Sequence, residues 1–491
     1  MNGSPPWGDA LTALLALLPP DGARTCDVVD GRFPAAAQPS RSRAAPADLV
    51  LIRARGLQAL WPAWRRRAAR AVEWRLAPDG VAYVLAGPVG RALIRRALTA
   101  HDLRCTDALL HTPRAARTER LVSLGGPDDP FGRAEIPGPP SWRRRQLARA
   151  LRLRPCRAAL ILCLPGVGLV IRRRGARSCL AWLCDAGGLS AAGLAVSIDV
   201  SWRGVAAGAT VTASSPGPAA GMAVAKVTLG SAGGLDAEHA ALVRLGPVAR
   251  EAGAAVPDVR GRRRVGPWEA LVEGHVRGRR VSDVLRRDAA QTLPILSELT
   301  GWLARWHRLT AVAQPLTAAR LTELILQPLV ALDGLLVEPY QAWLTSLATR
   351  LQGRTAPLVA VHNDLTMANV LFTERDGLGV VDWAGADGSG LPLMDFFYAT
   401  TDALHAAYGG TRIRAFQGAF TRGGAYRPAV DGLRDRLLRA LPLEPDLATA
   451  AFHACFLHHA VNEAGADPSG PRPFLELVRA AGRIAVPEGR P

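Results

Sequence analysis

A 491-residue chain exceeds what one hydrophobic core usually serves, so two or three compact units are expected. With 49% hydrophobic and 21% charged residues, the composition excludes a largely disordered chain. The formal charge of +18 raises nucleic acid or an acidic membrane as partners, but the arginine runs (Arg65 to Arg67, Arg143 to Arg145, Arg172 to Arg174, Arg262 to Arg264) are scattered and lack interleaved aromatic residues, so they read as solvated faces and no nucleic-acid partner is expected.

Near the start, Leu11 to Leu18 is apolar, but no Lys or Arg precedes it and Arg24 follows it, so the charged region of a signal peptide is missing. The apolar stretch Ala158 to Ile171 is too short to span a bilayer and is broken by Pro165, Gly166 and Gly168. Seven cysteines form no CxxC pair and read as reduced, mostly buried thiols. A cytoplasmic protein without membrane insertion is the expectation, and the oligomeric state is left open.

Between Ala47 and Pro113 the pattern reads strand, helix, strand, helix, strand: Asp48 to Ile52 is a buried apolar run, Leu57 to Val72 has helical spacing, and Leu76 to Gly80 is a turn into the strand Val81 to Ala86. The run from Ala47 to Leu60, with its continuation from Trp74 to Gly87, resembles the second half of a class I methyltransferase domain. The glycine-rich loop that should open such a domain is not visible in residues 1–46. Residues 1–135 are therefore expected to be a small accessory α/β domain, a degenerate methyltransferase-like unit.

From Ser123 to Pro140 the chain is rich in Gly, Pro and Asp, which marks a linker, and Trp142 to Leu153 reads as an arginine-studded helix. Short apolar segments follow at Ala158 to Leu162, Gly168 to Ile171, Leu194 to Val200, Ala209 to Ala213 and Ala223 to Leu229, separated by Gly, Pro and Ser. Successive strands without helices predict an antiparallel sheet. From Leu285 onward helical spacing dominates, over Leu293 to Leu309, Leu316 to Leu336, Pro339 to Leu351, Leu447 to Glu463 and Phe474 to Ile484, interrupted around His362. Residues 136–275 and 276–491 are thus expected to form a sheet lobe and a helical lobe, an α+β fold preceded by the small α/β domain.

The interruption carries the chemistry. Val361-His362-Asn363-Asp364-Leu365-Thr366-Met367-Ala368-Asn369-Val370 is an apolar strand, a tight polar loop and a second strand, and two of the chain's four asparagines lie in it. A further strand, Leu378 to Val381, ends on Asp382. Phosphoryl transfer asks for a carboxylate to orient the attacking hydroxyl and for oxygen donors that hold Mg²⁺ against the phosphates, which is what such a loop can supply. His362-x-Asp364-x4-Asn369 followed by Asp382 resembles the catalytic and metal-binding motifs of the aminoglycoside phosphotransferase and choline kinase group, which has a two-lobed protein kinase-like fold. Gly390-Leu-Pro392-Leu-Met-Asp395 resembles that group's Gly-x-Pro-x-x-Asp stretch.

The resemblance implies Asp364 as catalytic base, Asn369 and Asp382 as Mg²⁺ ligands, His362 as a buttress of the loop and Asp395 as a structural carboxylate. It also gives a place to the only lysine of the chain, Lys226, in the alternating strand Met222-Ala-Val-Ala-Lys226-Val. A compact ammonium is not readily replaced by a guanidinium fork in a tight phosphate site. Lys226 corresponds to the lysine that holds the α- and β-phosphates of ATP, and Glu238, preferred over Glu251, to its carboxylate partner on the following helix. Ala270 to Gly278 resembles the segment that joins the lobes and meets the adenine. No GxGxxG precedes Lys226, so the phosphate-covering loop stays unassigned between the Gly204 to Gly208 and Ser214 to Gly221 turns.

The expected function is ATP- and Mg²⁺-dependent transfer of phosphate to a hydroxyl of a small molecule of aminoglycoside, sugar or amino-alcohol type. The alternative is a non-catalytic nucleotide-binding scaffold. A metal site on His453, His458, His459 and Glu463 is a weaker reading than packing, and no dense acidic run that would suit a polycationic acceptor is present in the helical part.

Overall fold

The computed structural model describes residues 15, 17–30, 46–54, 61–99, 101, 103–114, 118–123, 159, 167–190, 194–203, 206–214, 221–229, 233–373, 377–466 and 471–486. The expected helix over Trp142 to Leu153, all but one residue of the strand Ala158 to Leu162, the linker beyond Ser123 and the turn at 215–220 lie outside them. The fold is α+β, and the chain divides into two compact units, one of residues 1–235 with 259–275 and one of residues 236–258 with 276–491. Among the described residues no helix is long and apolar enough to cross a membrane.

Among the described residues, the first unit is built on one eleven-stranded sheet. Its edge strands Cys26–Asp30, Ala47–Arg53 and Leu76–Leu85 run parallel, because the helix Pro62–Arg75 carries the chain back between the last two. From Val167–Arg173 onward all neighbours are antiparallel: next come Leu103–Arg114, Thr118–Ser123, Ala195–Arg203, Ala206–Ser214, Met222–Leu229, Trp268–Gly274 and Val259–Val265. Strands from before and after residue 135 therefore share one sheet.

The apolar runs are explained by burial on both faces. Leu49, Leu51, Val81 and Tyr83 join a core that extends to Val272, whereas Val50, Ile52, Ala82 and Val84 face Trp64, Ala68 and Val72 of the helix and Ile94 and Leu98 of the helix Pro88–Thr99. The first core is closed by Trp182 of the helix Ala181–Gly187, whose indole N–H donates to the Leu17 carbonyl at 2.9 Å.

The second unit is mainly helical, with two small sheets: Ala254–Ala255, Leu378–Val380, Val370–Phe372 and Arg279–Arg280 in one, Val312–Pro315, Thr355–Val361 and Asp387–Gly390 in the other. The helices Thr292–Thr310, Glu338–Leu351, Pro445–Ala466 and Pro473–Ala485 match the sequence periodicity. The single helix expected over Leu316 to Leu336 is instead broken into Ala318–Leu321, a π-helical turn Thr322–Leu326 and Gln327–Ala331. Pro328 explains part of the break. It has no N–H to give to the Leu324 carbonyl four residues earlier, and His458 Nε2 donates there instead, at 3.0 Å.

Candidate active site

The strand Thr355–Val361 is buried over its last four residues and delivers the chain into the loop that begins at His362. Asp395, from the first turn of the helix Met394–Tyr408, fixes that entry: its two carboxylate oxygens accept the N–H groups of His362 at 2.7 Å and Asn363 at 2.9 Å. Both bonds are needed because Asn363 turns the chain in the left-handed region, at φ 61°, a conformation asparagine tolerates. The Asn363 amide secures the turn by donating to the Gly385 carbonyl at 3.0 Å. His362 is fully buried, its Nδ1 accepting the Asp364 N–H at 3.3 Å and its Nε2 donating to the Val381 carbonyl at 3.2 Å. It thereby joins the loop of Asp364 to the strand that ends at Asp382.

Asp364 is held from three directions. Asn369 Nδ2 donates to its Oδ2 at 2.9 Å and to its carbonyl at 3.0 Å, and Tyr398 donates its hydroxyl to Oδ1 at 3.2 Å. Downstream, the Met367 N–H is capped by Asp402 Oδ2 at 2.8 Å. Burial first, and then the neighbouring Asp382 charge, push the Asp364 carboxyl up to about 6, against the opposing hydrogen bonds from Tyr398 and Asn369. Burial likewise raises Asp395 to about 6, although two backbone N–H groups favour its charged form.

Asp382 follows the strand Leu378–Val380 and is itself left-handed, at φ 70°. Trp383 is fully buried and pins this turn, its indole N–H donating to Val380 O at 3.0 Å and its ring meeting His362 edge-on at 4.9 Å. The Trp383 backbone N–H goes to Glu238 Oε1 at 3.0 Å. Glu238, on the helix Gly233–Glu251, is 2% exposed, whereas Glu251 at the helix end is exposed, which separates the two glutamates.

The donor set suits a hard divalent cation. Asn369 spends its Nδ2 on Asp364 and, among the described residues, keeps Oδ1 without a hydrogen bond, while Asp382 brings a carboxylate close enough to perturb Asp364. Oxygen donors and crowded carboxylate charge are what Mg²⁺ takes, one or two protein ligands at a time. The described residues contain no cluster of three or more His, Cys, Asp or Glu in metal-binding arrangement. The histidines of the helix Pro445–Ala466 go to separate partners: His453 Nδ1 to the Tyr340 hydroxyl at 2.7 Å, His458 to Leu324, and the His459 ring onto Tyr398 at 3.7 Å.

The second unit thus brings together Asp364, Asn369, Asp382, His362, Asp395 and Glu238. Lys226 lies in the first unit, on the strand Met222–Leu229, paired with Thr210 and Leu271. There Ala223, Ala225 and Val227 are buried in the core and Lys226 shares the opposite, half-buried face with Val224 and Thr228. Residues 204–205 of the Gly204 to Gly208 candidate are outside the described residues. Sequence reasoning missed Tyr398 and Asp402. Their signal was present as polar residues at 395, 398, 402 and 405, which share one stripe along the helix.

Residues 221–459 match the model of the phosphotransferase enzyme family. None of the curated proteins matches the chain. Among solved structures it is similar to an aminoglycoside-3'-phosphotransferase of type VIII, at 19% identity over 51% of this chain and 87% of that one, with a TM-score of 0.33. It is similar to the macrolide 2'-phosphotransferase MphH of Brachybacterium faecium, at 17% identity over 57% and 90%, TM-score 0.33. The aminoglycoside phosphotransferase APH(3'')-Id of Streptomyces rimosus, in complex with ADP and streptomycin, is 15% identical over 49% and 91%, TM-score 0.31.

Proposed function

We infer that the chain, whose residues 221–459 match the model of the phosphotransferase enzyme family, is a small-molecule kinase that transfers the γ-phosphoryl group of ATP to a hydroxyl of an aminoglycoside, sugar or amino-alcohol type acceptor. The observation that supports this most is the state of Asp364: oriented by Asn369 and Tyr398, and buried beside Asp382 so that its carboxyl lies at about 6. Such a group is ionised at neutral pH yet basic enough to take a proton.

In this reading the acceptor hydroxyl is aligned on Asp364. Its oxygen forms the new bond to the γ-phosphorus as the bond to the departing ADP oxygen breaks, and its proton passes to the Asp364 carboxylate. Asn369 and Asp382 are the residues that would hold Mg²⁺, which when bound neutralises charge on the phosphates. His362, Asp395 and Glu238 bond to backbone groups of the two turns, and Glu238 is also assigned, by the resemblance, as the carboxylate partner of Lys226. They fix the backbone on either side of the two carboxylates, so that the reacting groups meet without further ordering. Lys226 is assigned, by the resemblance of its strand, to the α- and β-phosphates.

The test is transfer of labelled phosphate from ATP to a panel of hydroxyl compounds, with Asp364→Ala as the control. Transfer that disappears in a folded variant supports the assignment; equal turnover by wild type and variant refutes it.

A further inference from the structure

The helix Met394–Tyr408 holds the catalytic loop beyond its entry as well as at it. Tyr398 and Asp402 lie one helical turn apart on the same face. Tyr398 donates its hydroxyl to Asp364 Oδ1 at 3.2 Å, and Asp402 Oδ2 accepts the Met367 N–H at 2.8 Å. One helical turn thus holds both the carboxylate assigned as base and the backbone three residues beyond it. The helix alone fixes neither side chain, since each can turn about its own χ1.

A second set of contacts fixes both. The His459 ring stacks on Tyr398 with centroids 3.7 Å and planes 14° apart, and the Phe474 ring lies 5.8 Å from Tyr398 and 5.1 Å from His459. Phe474 is itself placed from the helix that carries His459, because Glu463, one turn on, accepts its N–H at 2.9 Å. Arg412 joins this stack to Asp402. Its Nη1 lies 3.2 Å from Asp402 Oδ1, in an ion pair whose side chains are 24% and 11% exposed, and its guanidinium sits 4.9 Å over the Phe474 ring. Asp364, Tyr398, Phe474, Arg412, Asp402 and Met367 therefore form a closed circuit that begins and ends in the catalytic loop.

The place of Arg412 in its own helix argues against a merely local role. It is the first residue of the helix Arg412–Phe420, where the backbone dipole is positive and a cation is disfavoured. A residue that goes against its local preference and turns inward is kept there by tertiary contacts, here Asp402 and Phe474.

We propose that Arg412 is a positioning residue for phosphoryl transfer, which couples Asp402 to Tyr398 and thereby holds Asp364 and the Met367 backbone in one arrangement. The proposal rests on the phosphotransferase reading, to which it adds a residue that acts through Asp402 and Tyr398 and not on a reactant. Opening the circuit leaves Asp364 its chemistry and loosens its aim, and a displacement of about 1 Å in a reacting group can cost about a hundredfold in rate.

The experiment compares the full chain with Arg412→Met, which keeps an apolar stem over Phe474 and loses the charge, and with Arg412→Lys, which keeps the charge. Hydrogen exchange by mass spectrometry reads the loop without any acceptor. Peptides covering residues 362–369 are expected to exchange roughly tenfold faster in Arg412→Met, with the helix Thr292–Thr310 unchanged and Arg412→Lys in between. Labelled phosphate transfer from ATP, to the best acceptor of the hydroxyl panel or to water, is expected to lose roughly tenfold in kcat with the KM for ATP unchanged, again with partial recovery in Arg412→Lys. Uniformly faster exchange across the second unit, with kcat per folded molecule unchanged, would mark a purely structural arginine and overturn the proposal. Either loop exchange or kcat within about twofold of wild type in folded Arg412→Met overturns it as well. Should Arg412→Met fail to fold, Phe474→Leu opens the same circuit at its other side and is read in the same way. A wild type that releases no phosphate from ATP, or transfer that Asp364→Ala leaves intact, overturns the phosphotransferase reading instead, so the two failures are distinguishable.

Discussion

Glu238 accepts the backbone N–H of Trp383 at 3.0 Å across 145 residues of sequence, and this bond anchors the turn that carries Asp382. Because Glu238 is buried, removing its oxygen strands that N–H away from water. Glu238→Ala should cost about 1–3 kcal/mol in urea unfolding and reduce activity, while Glu238→Gln, which keeps an acceptor oxygen, should lose less stability. Equal stability of the Ala variant and wild type would show the bond to be dispensable.

Asp395 carries a larger structural load, since one buried carboxylate serves two backbone donors at the mouth of the catalytic loop. Asp395→Ala should destabilise the protein by roughly 2–5 kcal/mol, from two orphaned N–H groups. Asp395→Asn should also be costly, because one of its two polar ends is a donor facing a donor. Denaturation midpoints of the three proteins test this ordering.

Burial and Asp382 set the pH response of Asp364, and Tyr398 opposes them. Asp364 has its folded pKa raised from 3.8 to about 6, so its protonated form is favoured in the native state. Its contribution to stability is therefore present below about pH 4 and is lost as pH rises through about 6. Catalysis needs the ionised form and should have an acidic limb in the opposite sense, with activity falling as pH drops through that region. The Tyr398 hydrogen bond favours the ionised carboxylate, so Tyr398→Phe should move the limb to higher pH, as measured by kcat/KM against pH. A limb that stays in place, or moves down, would contradict the assigned bond.

Gly390 tests the packing behind the loop. It pairs with Val359 across the small sheet, and a Cβ at this position would overlap the Val361 side chain at Cγ2. Val361 is the residue before His362, so Gly390→Ala should cost about 1–3 kcal/mol and reduce activity by displacing the loop entry. Thermal unfolding together with an activity assay would reveal both effects.

Much of this was legible because local chemistry and burial agree at the catalytic loop. The apolar runs ending at Val361 and Val381 identify strands, and the polar residues that follow can only sit in a turn. The helices of the second unit were readable from period alone, except across Leu316 to Leu336. There Pro328 and a bond from distant His458 decide the geometry, and neither tertiary partner shows in a local pattern. Tyr398 and Asp402 were missed for the same reason: their partners Asp364 and Met367 lie more than thirty residues away. In the first unit the α/β beginning was legible from the run Asp48 to Ile52. Its continuation into a single eleven-stranded sheet was not, because pairing such as Ala82 with Ile171 depends on register between distant segments.

The central claim is that Asp364 takes the proton of an acceptor hydroxyl as phosphate is transferred from ATP. Its most direct test is the rate of labelled phosphate transfer by wild type and by Asp364→Asn, which is nearly isosteric and can keep its oxygen for Asn369 while its amide N–H donates to the Tyr398 hydroxyl oxygen. Transfer should fall by about a hundredfold or more, with the melting temperature and the affinity for ATP preserved. A folded Asp364→Asn protein that transfers phosphate at the wild-type rate would contradict the assignment.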